Sequence, residues 1–301
     1  MKLGIIGLGR MGYAIACRVL QSKLNKYDVL GFDTSEESQK KAEAIGVDIV
    51  ADIKDLAERA DIIWLMLPAG NLIDKVINEI LPHLTGGDII VDGGNSNFKD
   101  SITRAENLKK HEIYFLDCGT SGGMRGKDLG FSLMVGGDEK AYNKITPLLE
   151  RIAAKNGFAH MGPSGAGHYV KMVHNGIEYA LLQSYAEGFY LLKSGHYKHL
   201  DLEKISRVWC NGSVIRSFIL ELVHEIYAEK IDFEKVIGEI QEGGTGQWMV
   251  EEAKKHDILV KLIQESLDIR KDSRQTGGNY ATKLVALLRN KFGGHEYKKR
   301  D

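Results

Sequence analysis

The 301-residue sequence is short of cysteine, of proline in one half, of long apolar runs and of net charge. Its three cysteines, Cys17, Cys118 and Cys210, are odd in number, widely spaced and form no Cys-x-x-Cys pair. That argues against a disulfide framework and for a reducing compartment. The longest apolar stretch, Ile62 to Gly70, contains Pro68 and falls far short of a bilayer span. Met1 to Gly7 lacks the continuous apolar segment and cleavage site of a signal peptide. A cytoplasmic location is therefore expected. With Lys plus Arg at 40 and Asp plus Glu at 41, the net charge of −1 offers no broad basic field to nucleic acid or a membrane. Any anion must be held by a local site. His196 and His199 have no further ligands nearby in sequence, no Cys/His or Asp-x-Asp constellation exists, and no metal is expected. A Gly-x-Ser-x-Gly elbow and a Walker loop are also missing.

All four prolines, at 68, 82, 147 and 163, precede residue 164. A proline-free remainder is what long uninterrupted helices require, and the breaker cluster Gly162-Pro163-Ser164-Gly165-Ala166-Gly167 can turn the chain into one. Two domains are expected, at 1–163 and 164–301. In the first, Leu3–Ile6, Val29–Phe32, Ile49–Ala51, Ile62–Leu67, Ile89–Asp92 and Tyr114–Asp117 read as strands, with helices near 10–23, 35–45, 70–83 and 98–110. Phe131–Val135 reads as an added strand before a helix near 138–154. Such alternation predicts an α/β fold: a doubly wound (Rossmann), mostly parallel sheet, followed by an all-α domain.

Gly7-Leu8-Gly9-Arg10-Met11-Gly12 lies directly after the first strand and before a helix. Its glycines permit a tight turn, close approach of a pyrophosphate and close helix packing, and the helix N-terminus offers free N–H donors. Strand two ends at Asp33, where a carboxylate can accept hydrogen bonds from ribose hydroxyls. The same carboxylate would repel a 2′-phosphate, so NAD is expected over NADP, although Arg10 could offset part of the repulsion.

After the boundary, Lys171, His174, Asn175 and Glu178 fall at i, i+3, i+4 and i+7, one face of a helix running to about Lys193. By spacing alone this stripe is equally readable as a solvated face or as a catalytic one. Asp92-Gly93-Gly94-Asn95-Ser96 and Gly119-Thr120-Ser121-Gly122-Gly123 follow strands five and six, and ligands of doubly wound sheets bind beyond the strands' carboxyl ends. Their glycines could equally be turn residues.

Together with Gly244-Thr245-Gly246-Gln247-Trp248 and the tail Arg289-Asn290-Lys291-Phe292-Gly293-Gly294-His295, these motifs resemble the decarboxylating 6-phosphogluconate dehydrogenases over nearly the whole chain. Lys171 to Tyr179 is the most specific segment. The resemblance implies oxidative decarboxylation of 6-phosphogluconate to ribulose 5-phosphate, within pentose phosphate or gluconate metabolism. It implies that Lys171 is first base and then acid, that Glu178 protonates the enediol at C1, and that His174, Asn175, Asn95, Ser121, Gly122 and Gly123 orient the sugar acid. Asn95 would also touch the cofactor. Tyr179, Thr245, Arg270 and Arg289 would hold the phosphate, with His295 nearby. Phe32-Asp33-Thr34 departs from the Asn-Arg-Thr of NADP-using members, and Gly243 replaces a phosphate-site lysine. Met124-Arg125 stands where long members carry acidic residues. These departures place the chain with short, NAD-preferring members. Such members carry one copy of the helical domain, which implies a homodimer or homotetramer whose tail reaches a neighbour's site. The competing readings are a β-hydroxyacid dehydrogenase acting without decarboxylation on a small unphosphorylated acid, and a non-catalytic dinucleotide sensor.

Overall fold

The computed structural model describes residues 1–21 and 27–300. The chain folds as two compact units, Met1–Lys171 and Met172–Asp301.

The first unit is an eight-stranded sheet in the order β3-β2-β1-β4-β5-β6-β7-β8. Its first six strands are β1 (Lys2–Ile6), β2 (Asp28–Phe32), β3 (Asp48–Ile49), β4 (Ile62–Leu65), β5 (Ile89–Asp92) and β6 (Tyr114–Ser121), all parallel to one another. Every residue of β4 and of β5 is buried, as a sheet covered on both faces demands. The connecting helices are α1 (Arg10–Gln21), α2 (Glu36–Glu43), α3 (Ile53–Arg59), α4 (Asn71–Ile80) and α5 (Phe98–Lys109). Positions 22–23 of the first expected helix lie outside the described residues. Two apolar layers cover the sheet. One includes Ile15, Val19, Trp64, Leu116 and Ile145, and the other Leu56, Ile73, Ile90 and Phe115.

Past β6 come α6 (Gly126–Leu129), β7 (Phe131–Gly137) and α7 (Glu139–Ile152). β7 runs antiparallel to β6, and β8 (Ala153–Gly162) runs parallel to β7 with register shifts. The sequence reading contains neither β8 nor α3. β8 is poor in β-branched residues and carries Asn156 at φ 58, so it lacks a strand's usual signature. It forms the sheet's edge, where such residues are tolerated. α3 is only seven residues long and is capped by Asp52, whose carboxylate accepts the Lys54 and Asp55 N–H groups.

α8 (Ala166–Ser194) starts in the expected breaker cluster, and the division between units falls inside it. Its first turn is tied to β6: Asp117, fully buried, accepts the Gly165 N–H at 2.7 Å and the His168 N–H at 2.8 Å. Gly167 packs so closely that an added Cβ would lie 2.3 Å from the Met134 carbonyl oxygen. His168 Nδ1 pairs with Ser101 Oγ at 2.7 Å.

The second unit continues with α9 (Leu202–Cys210), α10 (Phe218–Ala228), α11 (Thr245–Lys255), α12 (Lys261–Thr276) and α13 (Tyr280–Gly293). Leu182, Phe189, Leu220, Val223, Leu284 and Leu288 form its main core. No helix among the described residues is long and apolar enough to cross a membrane.

Replacing Asp117 with alanine removes a buried carboxylate from a helix N-terminus and orphans two N–H groups. Asp117→Ala is expected to cost about 2–4 kcal/mol in the first unit, with Asp117→Asn costing less. Thermal or urea unfolding measures it, and an unchanged midpoint would show that the anchor contributes nothing.

Candidate active site

In the first unit the Gly7–Gly12 turn sits between β1 and α1, where the strand order reverses direction. Gly7 has φ 96, and a Cβ there would lie 2.4 Å from the Met66 carbonyl oxygen. A Cβ on Gly12 would lie 1.9 Å from the Gly7 carbonyl oxygen, so the helix closes on the turn only with glycine. At exposed Gly9, by contrast, a Cβ would meet nothing within 4 Å, leaving the open cradle that a pyrophosphate needs beside Leu8, Arg10 and Met11. Asp33, half-buried just past β2, accepts the Leu8 N–H at 2.6 Å and the Ser35 N–H at 2.8 Å. It thus shapes the turn. These residues fit a dinucleotide.

Asn95 is exposed in the turn after β5. Asp92, fully buried, holds both its neighbours: Oδ1 accepts the Gly94 N–H at 3.1 Å and Oδ2 the Ser96 hydroxyl at 2.7 Å. Arg104 braces this carboxylate at 3.3 Å and pairs with Asp74 through Nε at 2.7 Å and Nη2 at 3.1 Å. Ser121 ends β6, and Gly122 and Gly123 follow with φ 136 and 56, conformations that favour glycine. Gly119 explains the placing of Lys171. An added Cβ would lie 2.4 Å from the lysine's own Cβ, so the strand lets α8 approach and leaves Lys171 buried at 7% exposure.

Farther along α8, in the second unit, His174 Nδ1 and Asn175 Oδ1 are 3.1 Å apart, and Asn175 is buried. Tyr179 carries the Arg270 guanidinium on its ring, with Cζ 3.4 Å from the centroid. Gly246 packs on the same ring, where a Cβ would lie 2.5 Å from Tyr179 Cε2, bringing buried Thr245 and the N-terminus of α11 alongside. Arg270 is 2% exposed, yet Nη1 and Nη2 have no hydrogen-bond partner among the described residues. Burial pulls its guanidinium down to about 10, with Arg289 acting the same way against the attraction of Tyr179, Glu178 and Glu242. Burial lowers Arg289 as well, with Tyr179, Glu178 and Glu242 opposing.

Arg289, on α13, lies within electrostatic range of Tyr179 and Glu178 of its own chain. Beyond it the chain folds back: Ile237 donates to the Lys298 carbonyl at 3.0 Å and Arg300 to the Lys235 carbonyl at 2.8 Å. Val236 and Lys299 form an antiparallel bridge. These backbone bonds tie residues 298–300 to residues 235–237 of the same chain. His295 is exposed just after α13, its N–H 3.4 Å from the Arg289 carbonyl oxygen. Among the described residues, no group of three or more His, Cys, Asp or Glu could hold a metal ion. Asp117, Arg104 and Glu242 are not among the expected site residues, and Asp92 is expected only as part of its loop. For Asp92 and Asp117 a lone carboxylate at the end of an apolar strand is the signal that could have found them.

Residues 2–172 match the family model for the NAD binding domain of 6-phosphogluconate dehydrogenase, and residues 167–283 match the model for its C-terminal domain. A Haloferax volcanii protein named as an NAD(+)-dependent, decarboxylating 6-phosphogluconate dehydrogenase is 46% identical over 306 residues, covering 100% of both chains. Plasmodium falciparum 6-phosphogluconate dehydrogenase superposes with a TM-score of 0.80 at 31% identity, over 92% of this chain and 62% of that one. Mycobacterium tuberculosis 3-hydroxyisobutyrate dehydrogenase has the same fold, with a TM-score of 0.74 at 19% identity over 96% and 98% of the two chains. Matched through both units and along its full length, this chain belongs to the 6-phosphogluconate dehydrogenase family of oxidoreductases.

Proposed function

We propose that this chain oxidatively decarboxylates 6-phosphogluconate to ribulose 5-phosphate and CO2, with NAD as the preferred coenzyme. The observation that carries the substrate assignment is Arg270, a buried guanidinium with both terminal nitrogens unpartnered. An orphaned cation of that kind is stabilised by an anion, and guanidinium pairs bidentately with phosphate. Tyr179, Thr245 at the N-terminus of α11, and Arg289 complete its surroundings, with His295 one turn further on. A small unphosphorylated acid leaves that charge without a use.

NAD, which the Gly7–Gly12 turn and Asp33 would hold, would supply the hydride acceptor for C3. Lys171 takes the proton of the C3 hydroxyl. To do so it must be neutral. Its burial works in that direction. The resulting 3-keto acid has its carbonyl β to the carboxylate, so CO2 leaves as electrons flow toward the oxygen, which Lys171 protonates. Glu178, two helical turns along the same face of α8, then protonates C1 of the enediol. His174, Asn175, Asn95, Ser121, Gly122 and Gly123 orient the sugar acid, and Asn95 also borders the coenzyme.

Equal amounts of reduced NAD and CO2 are expected from 6-phosphogluconate, with little turnover of gluconate. Oxidation without CO2 would overturn the decarboxylation. Lys171→Met should lower turnover by about 10²–10⁴-fold. In contrast, Glu178→Gln should keep a first-turnover burst of reduced NAD and lose steady-state rate, and full activity would remove its assigned role.

Asp33 supports the coenzyme preference, because its charge meets a 2′-phosphate unfavourably. Asp33→Asn keeps an acceptor for the Leu8 N–H and removes only the charge. It should shift the ratio of kcat/KM for NAD over NADP by about 10-fold or more toward NADP. An unchanged ratio would move the discrimination elsewhere.

The chain is also proposed to act as a homodimer or homotetramer. Ile177, Leu181 and Leu191 leave an apolar stripe on α8 at 51%, 43% and 72% exposure, and a second copy is the natural cover. Sedimentation should give at least a dimer, reduced to monomer by Leu181→Glu. A fully active monomeric wild type would rule assembly out as a requirement.

A further inference from the structure

α12 presents a second arginine beside the buried one. Arg274 follows Arg270 by four residues, about one helical turn along the same face. Its Nη1 donates to the Ile240 carbonyl at 2.9 Å, while Ser273 Oγ accepts the Ile240 N–H at 3.0 Å. The segment leading into Thr245 is thereby pinned to this turn of α12. That bond uses one corner of a planar fork with five N–H donors. Arg274 is half-buried and close enough to Arg289 for the like charge to be felt there.

Around Arg270 and Arg289 stand two carboxylates, Glu178 and Glu242. Even with Glu178 protonated for its role as acid, two cations facing the Glu242 carboxylate leave a single surplus charge for a phosphate monoester, which carries close to two negative charges at neutral pH. The neighbouring loop does not provide a second, because Gly243 has no side chain, and a Cβ there would meet nothing within 4 Å. Holding Arg274 next to Arg289 without an anion between them would also cost repulsion.

We infer that Arg274 is a third arginine for the substrate's terminal phosphate monoester, engaging it from α12 while one nitrogen keeps Ile240 in place. The inference rests on the phosphorylated-acid reading and extends it to a residue and a charge balance.

The test compares full-length wild type, Arg274→Ala, Arg274→Lys and the double variant Arg274→Ala with Gly243→Lys. Arg274→Ala should raise KM for 6-phosphogluconate about 10- to 100-fold, as expected for one charge-assisted hydrogen bond, with kcat within about twofold. Competitive inhibition by inorganic phosphate should weaken by a similar factor with little change in thermal midpoint. Arg274→Lys and the Gly243→Lys second-site change should each recover most of the loss. Unchanged KM and phosphate inhibition would overturn the inference. So would a joint loss of kcat, affinity and thermal midpoint that neither lysine restores, since it would mark Arg274 as an anchor for Ile240 alone. Calorimetry with inorganic phosphate separates the two readings. Arg274-dependent phosphate binding without turnover of the sugar acid supports the inference and removes the substrate assignment, whereas absence of phosphate binding to wild type removes both.

Discussion

A carboxylate with no solvent exposure holds the helix on which the candidate chemistry is mounted. Asp117 on β6 receives two N–H groups at the start of α8, and three residues later Lys171 rests against Gly119 of the same strand. A lysine has four rotatable bonds, so its amine is placed only as well as its backbone is. Here the backbone is located by a charged cap and by a glycine contact that no larger residue would allow. Asp92 works similarly one strand away, where its carboxylate grips the residues on both sides of Asn95. Two buried acids, paired across β5 and β6, therefore set the geometry of groups that they do not themselves resemble in function.

The second unit relies on a different constraint. Desolvating a guanidinium is costly, and burying one without hydrogen-bond partners is costlier still. Arg270 bears that cost against the face of Tyr179, with the helical N-terminus of α11 packed on the same ring. Such an arrangement lowers the stability of the ligand-free chain, and an anion bound there would recover part of that cost.

The parallel strands and the long helix were legible because their signals are local: β-branched runs for β1, β2, β4, β5 and β6, and freedom from proline for α8. The glycine turn and Asp33 were legible because backbone approach and charge dictate residue type. β8 was not, since an edge strand is defined by its partner β7 more than by its own composition. Arg270, Arg274 and Arg289 carry no local mark either. On spacing alone they are surface arginines, and only the packing of α12 and α13 in the second unit gathers them. The end of the chain is similarly unmarked. Its docking depends on backbone pairing with residues 235–237, which no sequence pattern announces.

That pairing bears on how the protein responds to dilution. An arginine borrowed from a neighbouring subunit would make anion affinity follow mass action in protomer concentration, weakening as assemblies dissociate. Arg289, Tyr179 and Arg270 already lie within electrostatic range of one another in a single chain, so this much of the cationic cluster forms without a neighbour.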